Sequence, residues 1–408
     1  MPVLHSDIAD QAAYLPFRGA SQGIMLPQVP RFDIRREDYL EPKVDCNSPA
    51  GKDWFYKLVL ASYPMQPSDT PPPGQFQKFG MEAWDYFFSR QPTLADIWKK
   101  LRDREIGFES FSQLINNMMD SIHPLMPAEW PLPSRGNKPN LAAALACHGV
   151  QRGITLEPTP ALETLLHHSD LDYEMPCSQF RLPAPAVFVP FGKLPLAPHP
   201  LRADLDGVFC FERQTEEFRE ISIVFTGRFS SRISYCACIV LYIRDESLPL
   251  MDMLVKVTGH PIGPFKPDEH VGPQPPPGEE EAIKLQSLFT FERMMFLSKL
   301  FLYASLPDVR KIARNEWADA KKRLDGLGPK KQAKLKRRMV DLFDRVEVGP
   351  ERLPELSPGH GEDGYEVTPH WRRGHFRHQP CGPRSMERKL IYIQPMLVRA
   401  DRLADSKS

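Results

Sequence analysis

The stretch from Glu279 to Leu306 constrains the fold more than any other part of the chain. Its apolar residues Leu285, Leu288, Phe289, Met294, Met295, Phe296, Leu297, Leu300, Phe301 and Leu302 fall on most sides of a helix rather than along one stripe. Such a helix is stable in water only when other elements surround it, so these residues predict a helix at the centre of a large core. Glu279, Glu280 and Glu281 open it, where carboxylates suit the positive end of the helix dipole. The Met and aromatic residues are read as core filling rather than as the lining of a peptide groove. No apolar run in the chain approaches the roughly 20 residues that span a bilayer, so no membrane partner is expected.

Upstream, the pattern changes once. Residues 1–48 are polar and punctuated by proline, which predicts an irregular arm. Helical spacing is read over 53–62, 81–88, 93–101 with Thr93 as N-cap, 108–122, 140–148 and 160–168. The run Thr70-Pro71-Pro72-Pro73-Gly74 reads as a linker. Residues 49–175 therefore form a mainly helical region. From residue 176 to 408 an α+β unit is expected, because β-branched and aromatic runs recur at 186–191, 207–211, 221–225, 235–243 and 253–257. Their short, turn-separated spacing predicts an antiparallel sheet. A loop over 259–278 leads to the central helix. A basic amphipathic helix is expected over 330–345, after Lys321-Lys322-Arg323, with Lys334, Arg337 and Arg338 among its cations and Leu335, Met339, Leu342 and Phe343 as its apolar stripe. The segment 351–362 reads as a loop. The fold class is α+β: a helical N-terminal region, an antiparallel sheet with a central apolar helix, and a C-terminal His/Arg motif that closes the sheet together with a last strand.

Charge does not name a partner. Lys+Arg and Asp+Glu both number 52, so any surface for a polyanion must arise from local asymmetry. The 43 prolines point to stiff connections between compact parts. Seven dispersed cysteines, with an N-terminus resembling neither a signal nor a transit peptide, predict reduced thiols and a cytoplasmic protein. The one close pair, Cys236 and Cys238, points to one side of a strand but has no second pair at zinc spacing. It is read as buried strand cysteines.

The densest chemistry lies near the end, in His370-Trp371-Arg372-Arg373-Gly374-His375-Phe376-Arg377-His378-Gln379 followed by Gly382-Pro383-Arg384. Three chemistries suit it. Arg372, Arg373 and Arg377 offer planar forks for phosphate or carboxylate, with His378 and Gln379 as further donors and Trp371 and Phe376 as rings on which bases stack. His375 with His370 or His378 could move protons in metal-independent RNA cleavage. Metal ligation by His370, His375 and His378 ranks last, since no carboxylate joins them and three guanidiniums oppose a cation; neither metal nor cofactor is expected. The structural alternative has His375 and Gln379 satisfying backbone groups, with the arginines tied to acids such as Asp363.

The string His370-Trp371-Arg372-Arg373-Gly374-His375-Phe376-Arg377-x-Gln379-x-x-Gly382-Pro383, followed by residues 388–395 and 398–403, resembles the ending of many phage- and plasmid-borne proteins. In particular it is similar to the type V-A anti-CRISPR family that acts on production of the effector nuclease. That pattern has another glycine where Arg384 stands, and His or Tyr where Cys381 stands. The resemblance implies a mobile-element protein that recognises the nascent N-terminal peptide of the nuclease. It further implies loss of the nuclease's mRNA, with message or ribosome as further partners. The rival expectation is a non-catalytic protein-interaction module braced by the motif.

Overall fold

The computed structural model describes residues 81–89, 92–122, 137–191, 204–230, 233–258, 280–324, 326–339, 342, 344–353, 370–385 and 387–398. The expected arm over 1–48, the helix over 53–62, the linker over 70–74 and the loops over 259–278 and 354–362 lie outside them. Four helices come first: α1 (Met81–Ser89), α2 (Pro92–Arg102), α3 (Phe108–Ile122) and α4 (Asn137–Val150). Pro92 stands in the first turn of α2, where its missing N–H costs nothing, so the helix starts one residue before Thr93. Strand β1 (Ile154–Pro158) and helix α5 (Pro160–His167) follow, with Thr159 capping α5 through its hydroxyl (3.1 Å to the Leu162 N–H).

Short β2 (Ser169–Leu171) precedes four longer strands: β3 (Ala186–Pro190), β4 (Asp204–Gln214), β5 (Arg219–Ser230) and β6 (Ile233–Ile243). These four are antiparallel neighbours, as their alternation predicts. The sheet as a whole is mixed. β1 adds beside β3 in parallel, and β8 (Asp344–Val348) adds in parallel beside β1, with β7 (Lys311–Asn315) antiparallel at the far edge.

Period-two alternation sorts the strands between two cores. Ala186, Phe188, Phe209, Phe211, Val224 and Cys236 face α1–α4. Val187, Val189, Val208, Cys210, Ile223, Phe225, Ile239 and Leu241 face α5, α6 (Leu250–Thr258) and the central α7 (Glu280–Ser305). The result is a three-layer α/β/α packing. On α7, Phe289, Met294, Phe296, Leu297, Leu300, Phe301 and Leu302 are all buried, so its Met and aromatic residues are core. Cys236 is buried and Cys238 half-buried on β6.

Three expectations are corrected. Residues 253–257 are helical, within α6: Leu250, Leu254 and Thr258 are buried at i, i+4, i+8, and Asp252 is exposed. That 3.6-residue period outweighs the β-branched valines. The basic helix α9 (Pro329–Met339) ends before residue 345 and follows α8 (Glu316–Leu324). Asp344 turns back to cap α8, its Oδ1 accepting from the Trp317 and Ala318 N–H groups (3.0 and 3.1 Å), and β8 begins there. Finally, the C-terminal strands do not close the large sheet. β10 (Gly374–Cys381) and β11 (Glu387–Ile393) join β2 in a three-stranded sheet of their own, and β9 (His370–Arg372) pairs with β12 (Met396–Val398). Strands β7 and β8 gave no sequence signal because their outward residues are charged. Arg310 and Arg314 pair with Glu347 (2.8 and 3.4 Å) and Arg345 with Glu316 (3.0 Å) on a part of the sheet face that apolar residues do not line.

Candidate functional site

The motif occupies the turn from β9 into β10, and strand alternation divides it into an inward and an outward row. Gly374, Phe376 and His378 face inward; His375, Arg377 and Gln379 face outward. Gly374 is required by space: a Cβ there would stand 2.5 Å from the Ile393 carbonyl oxygen and 2.5 Å from Pro395. Its N–H donates to the His168 carbonyl (3.0 Å), which starts the parallel pairing of β10 with β2.

The inward row is structural. Phe376 is fully buried and stacked on Tyr392 of β11 (centroids 4.5 Å apart, 26° between planes). Tyr392 in turn meets the edge of Tyr303 on α7 and shares a hydrogen bond with Ser169 Oγ (3.1 Å). Phe376 therefore has no exposed face to offer a nucleobase. Trp371 is half-buried, with its ring stacked flat on His168 (4.5 Å, 12°). His378 is half-buried, and burial, helped by the charge of Arg388, holds its pKa below the usual histidine value against the opposing pull of Asp172.

The outward row is chemical surface. Arg377 is exposed, with one contact to Gln379 Oε1 (3.2 Å). His375 is half-buried between Asp170 of β2 and Ile393 of β11, its register partners. Arg372 is exposed, and Arg373 reaches across to Asp170 (2.6 Å). The pairing His370↔Val398 fixes where His370 sits on β9; its side chain is outside the described residues. From residue 370 to 393 the chain carries six basic residues (Arg372, Arg373, Arg377, Arg384, Arg388, Lys389) against one acid, Glu387. This is the local asymmetry that a net charge of zero conceals. Lys334 and Arg338 are exposed on α9, which packs on α8, and α8 in turn packs against β8 of the large sheet. Arg337 shares that helix, so the fold puts these three on a different element from the motif. Among the described residues no three His, Cys, Asp or Glu side chains gather as a metal site.

Sequence reasoning missed what lies beneath the motif. Lys299 of α7 is buried and donates to the carbonyls of Leu166 (2.6 Å) and Ser169 (3.0 Å), tying the end of α5 and the start of β2 to the central helix. Burial pushes its pKa down to about 8. His168, stacked under Trp371, also has its pKa lowered, first by burial and then by His167, Arg373 and Lys299. Two signals pointed here: a lysine set within the apolar run 294–302 of the helix, and the polar run His167-His168-Ser169-Asp170.

The architecture is therefore a three-layer α+β protein that carries a basic, histidine-bearing strand on a small accessory sheet. No helix among the described residues is long and apolar enough to cross a membrane. The chain belongs to the AcrVA2-like family, anti-CRISPR type V subtype A2, whose family model matches residues 156–400, more than half of its length. Comparison with curated proteins and with solved structures found no match. The matched region runs from within β1 to just past β12 and so includes the sheet, the central helix and the motif. Membership makes this an anti-CRISPR-like accessory protein directed against a component of a CRISPR system.

Proposed function

We propose that this protein suppresses a type V-A CRISPR effector nuclease while it is being made, binding its nascent N-terminal peptide and lowering its mRNA, with RNA held at the outward row of β10. The observation that carries the RNA contact is the basic excess of residues 370–393 in a chain whose net charge is zero. Arg372, Arg373 and Arg377 are the phosphate ligands, through guanidinium forks that match phosphate oxygens. Gln379 adds a polar contact at the end of the same strand. If the message is cut here, His375 with His370 carries the proton transfers. Lys334, Arg337 and Arg338 form a second, separate phosphate contact. Such binding weakens as salt rises, because each neutralised phosphate releases counterions.

A second reading is favoured by the inward row: Trp371 on His168 and Phe376 on Tyr392 build the motif into the fold. Under it the protein is a non-catalytic interaction module. Crosslinking in producing cells separates the two, by sequencing the RNA recovered with wild type and with a His375→Ala, Arg377→Ala double variant. Recovery of effector message near its start codon, lost in the variant while the fold persists, supports RNA contact. No RNA above background from either protein sinks it.

A further inference from the structure

A second site lies away from the small sheet. A cleft of about 580 Å³ opens between α1, α2, the end of α4 and the start of β8, lined by Asp85, Arg102, Gly149, Val150, Arg152, Gly153 and Asp344. Its volume falls within the range that holds nucleotide-sized ligands, roughly 300–1,000 Å³. The charges that line it are unequally committed. Asp85 accepts a hydrogen bond from Trp98 Nε1 (2.6 Å). Asp344 Oδ1 accepts two backbone N–H groups at the start of α8 (3.0 and 3.1 Å). The arginines are looser. Arg102 approaches Asp85 only to 3.7 Å, beyond hydrogen-bond reach, with its side chain half exposed. Arg152 is exposed, and its guanidinium enters no hydrogen bond or ion pair among the described residues. Two guanidiniums thus line one concavity, Arg102 held only by a long ion pair to Asp85, which favours an oxyanion.

The rest of the wall refines the guest. Gly149 and Val150 at the end of α4 also line the cleft, and the two carboxylates add acceptors. A bare anion meets these groups unfavourably, whereas a ligand that joins a phosphate to hydroxyl groups satisfies both kinds. We propose that this cleft binds a phosphate ester bearing hydroxyls, a nucleotide or sugar phosphate, with Arg102 and Arg152 on the phosphate and Asp85 and Asp344 on the hydroxyls. The site stands independently of the RNA contact on β10.

Backbone geometry supplies a clean test. Arg152 follows α4 with φ of 53°, and Arg104 follows α2 with φ of 63°, both in the left-handed region that glycine accepts freely. Arg152→Gly therefore removes the guanidinium without straining the chain. Arg104→Gly makes the same backbone change at a residue that does not line the cleft. Titration calorimetry on the full chain at constant ionic strength would use AMP, ribose 5-phosphate and inorganic phosphate as probes. Saturable binding of AMP or ribose 5-phosphate, tighter than inorganic phosphate, is expected. It should fall roughly tenfold or more in Arg152→Gly and in Arg102→Gln, the size of one lost charge-assisted hydrogen bond. Arg104→Gly should bind as wild type. Comparison of AMP with ribose 5-phosphate tells nucleotide from sugar phosphate. No saturable binding of any probe, or Arg152→Gly binding as wild type, overturns the proposal.

Discussion

Phe376 and Arg377 are adjacent on β10, yet the fold gives them opposite consequences. Phe376→Ala deletes a ring with no solvent exposure, stacked 4.5 Å from Tyr392 where β2, β10, β11 and α7 meet. Losing its transfer free energy and leaving a cavity costs about 3–5 kcal/mol, of which the aromatic pairing itself supplies about 0.5–1.5 kcal/mol. Tyr392 also shares a hydrogen bond with Ser169, so the damage reaches the β2–β10 pairing. Arg377→Ala removes an exposed side chain with one hydrogen bond to Gln379 (3.2 Å), and should change stability by less than about 0.5 kcal/mol. Thermal melting of both variants is the assay: a fall on the order of 5–10 °C for Phe376→Ala, and no resolvable change for Arg377→Ala. Message levels of the effector in producing cells give the second readout, with suppression lost in Arg377→Ala although it stays folded. A Phe376→Ala protein that melts with wild type, or an Arg377→Ala protein several degrees less stable, would refute the division of the strand into inward and outward rows.

His148 is buried with its pKa pushed down to about 4 by burial, against an ordinary value of 6.5. The unfolded chain therefore binds this proton more readily, and stability is lost as pH falls from about 6.5 to about 4, roughly 3 kcal/mol in all. Urea unfolding at pH 7 and pH 5 should show wild type losing about 2 kcal/mol more than His148→Phe, which cannot titrate. Lys299, lowered to about 8 from 10.5, gives the same sign in another window, its native state becoming more stable as pH rises between those values. Lys299→Met should flatten that rise and lower stability at pH 7, since the carbonyls of Leu166 and Ser169 lose their donor; denaturation at pH 7, 8 and 10 measures both. Arg384 holds φ of 56° in the β10–β11 turn, so Arg384→Gly should be neutral or stabilising by up to about 1 kcal/mol, read as a small rise in melting temperature.

Arg384 also illustrates how much of the site was legible. A glycine was the expectation there, and the backbone at Arg384 holds the left-handed conformation that a glycine takes freely. The guanidiniums of the motif were visible as a string, and Arg372, Arg373 and Arg377 are all exposed. Which aromatic rings remain available was not visible, because Phe376 and Arg377 differ only in strand parity, and parity needs a register. The missed partners, Lys299, His168 and Asp170, lie far from the motif in sequence, and only the pairing of β2 with β10 brings them beneath it. The cleft is less legible still, since Arg102, Arg152 and Asp344 come from the end of α2, the turn after α4 and the start of β8.

By itself the sequence determined the α+β class, the surrounded helix α7, the antiparallel run β3–β6 and the basic cluster near the end. These are local properties: periodicity and composition over ten to thirty residues fix what an element must bury. Only the tertiary structure decided that β1 and β8 extend the sheet in parallel, that β10 joins β2 on a separate sheet, and that α6 is a helix rather than a strand. In each case the deciding energy comes from residues distant in the chain. Leu156, Val346 and Val348 reach the core only once β1 and β8 lie side by side, and β10 is placed by its pairing with β2, which Lys299 of α7 ties to the end of α5.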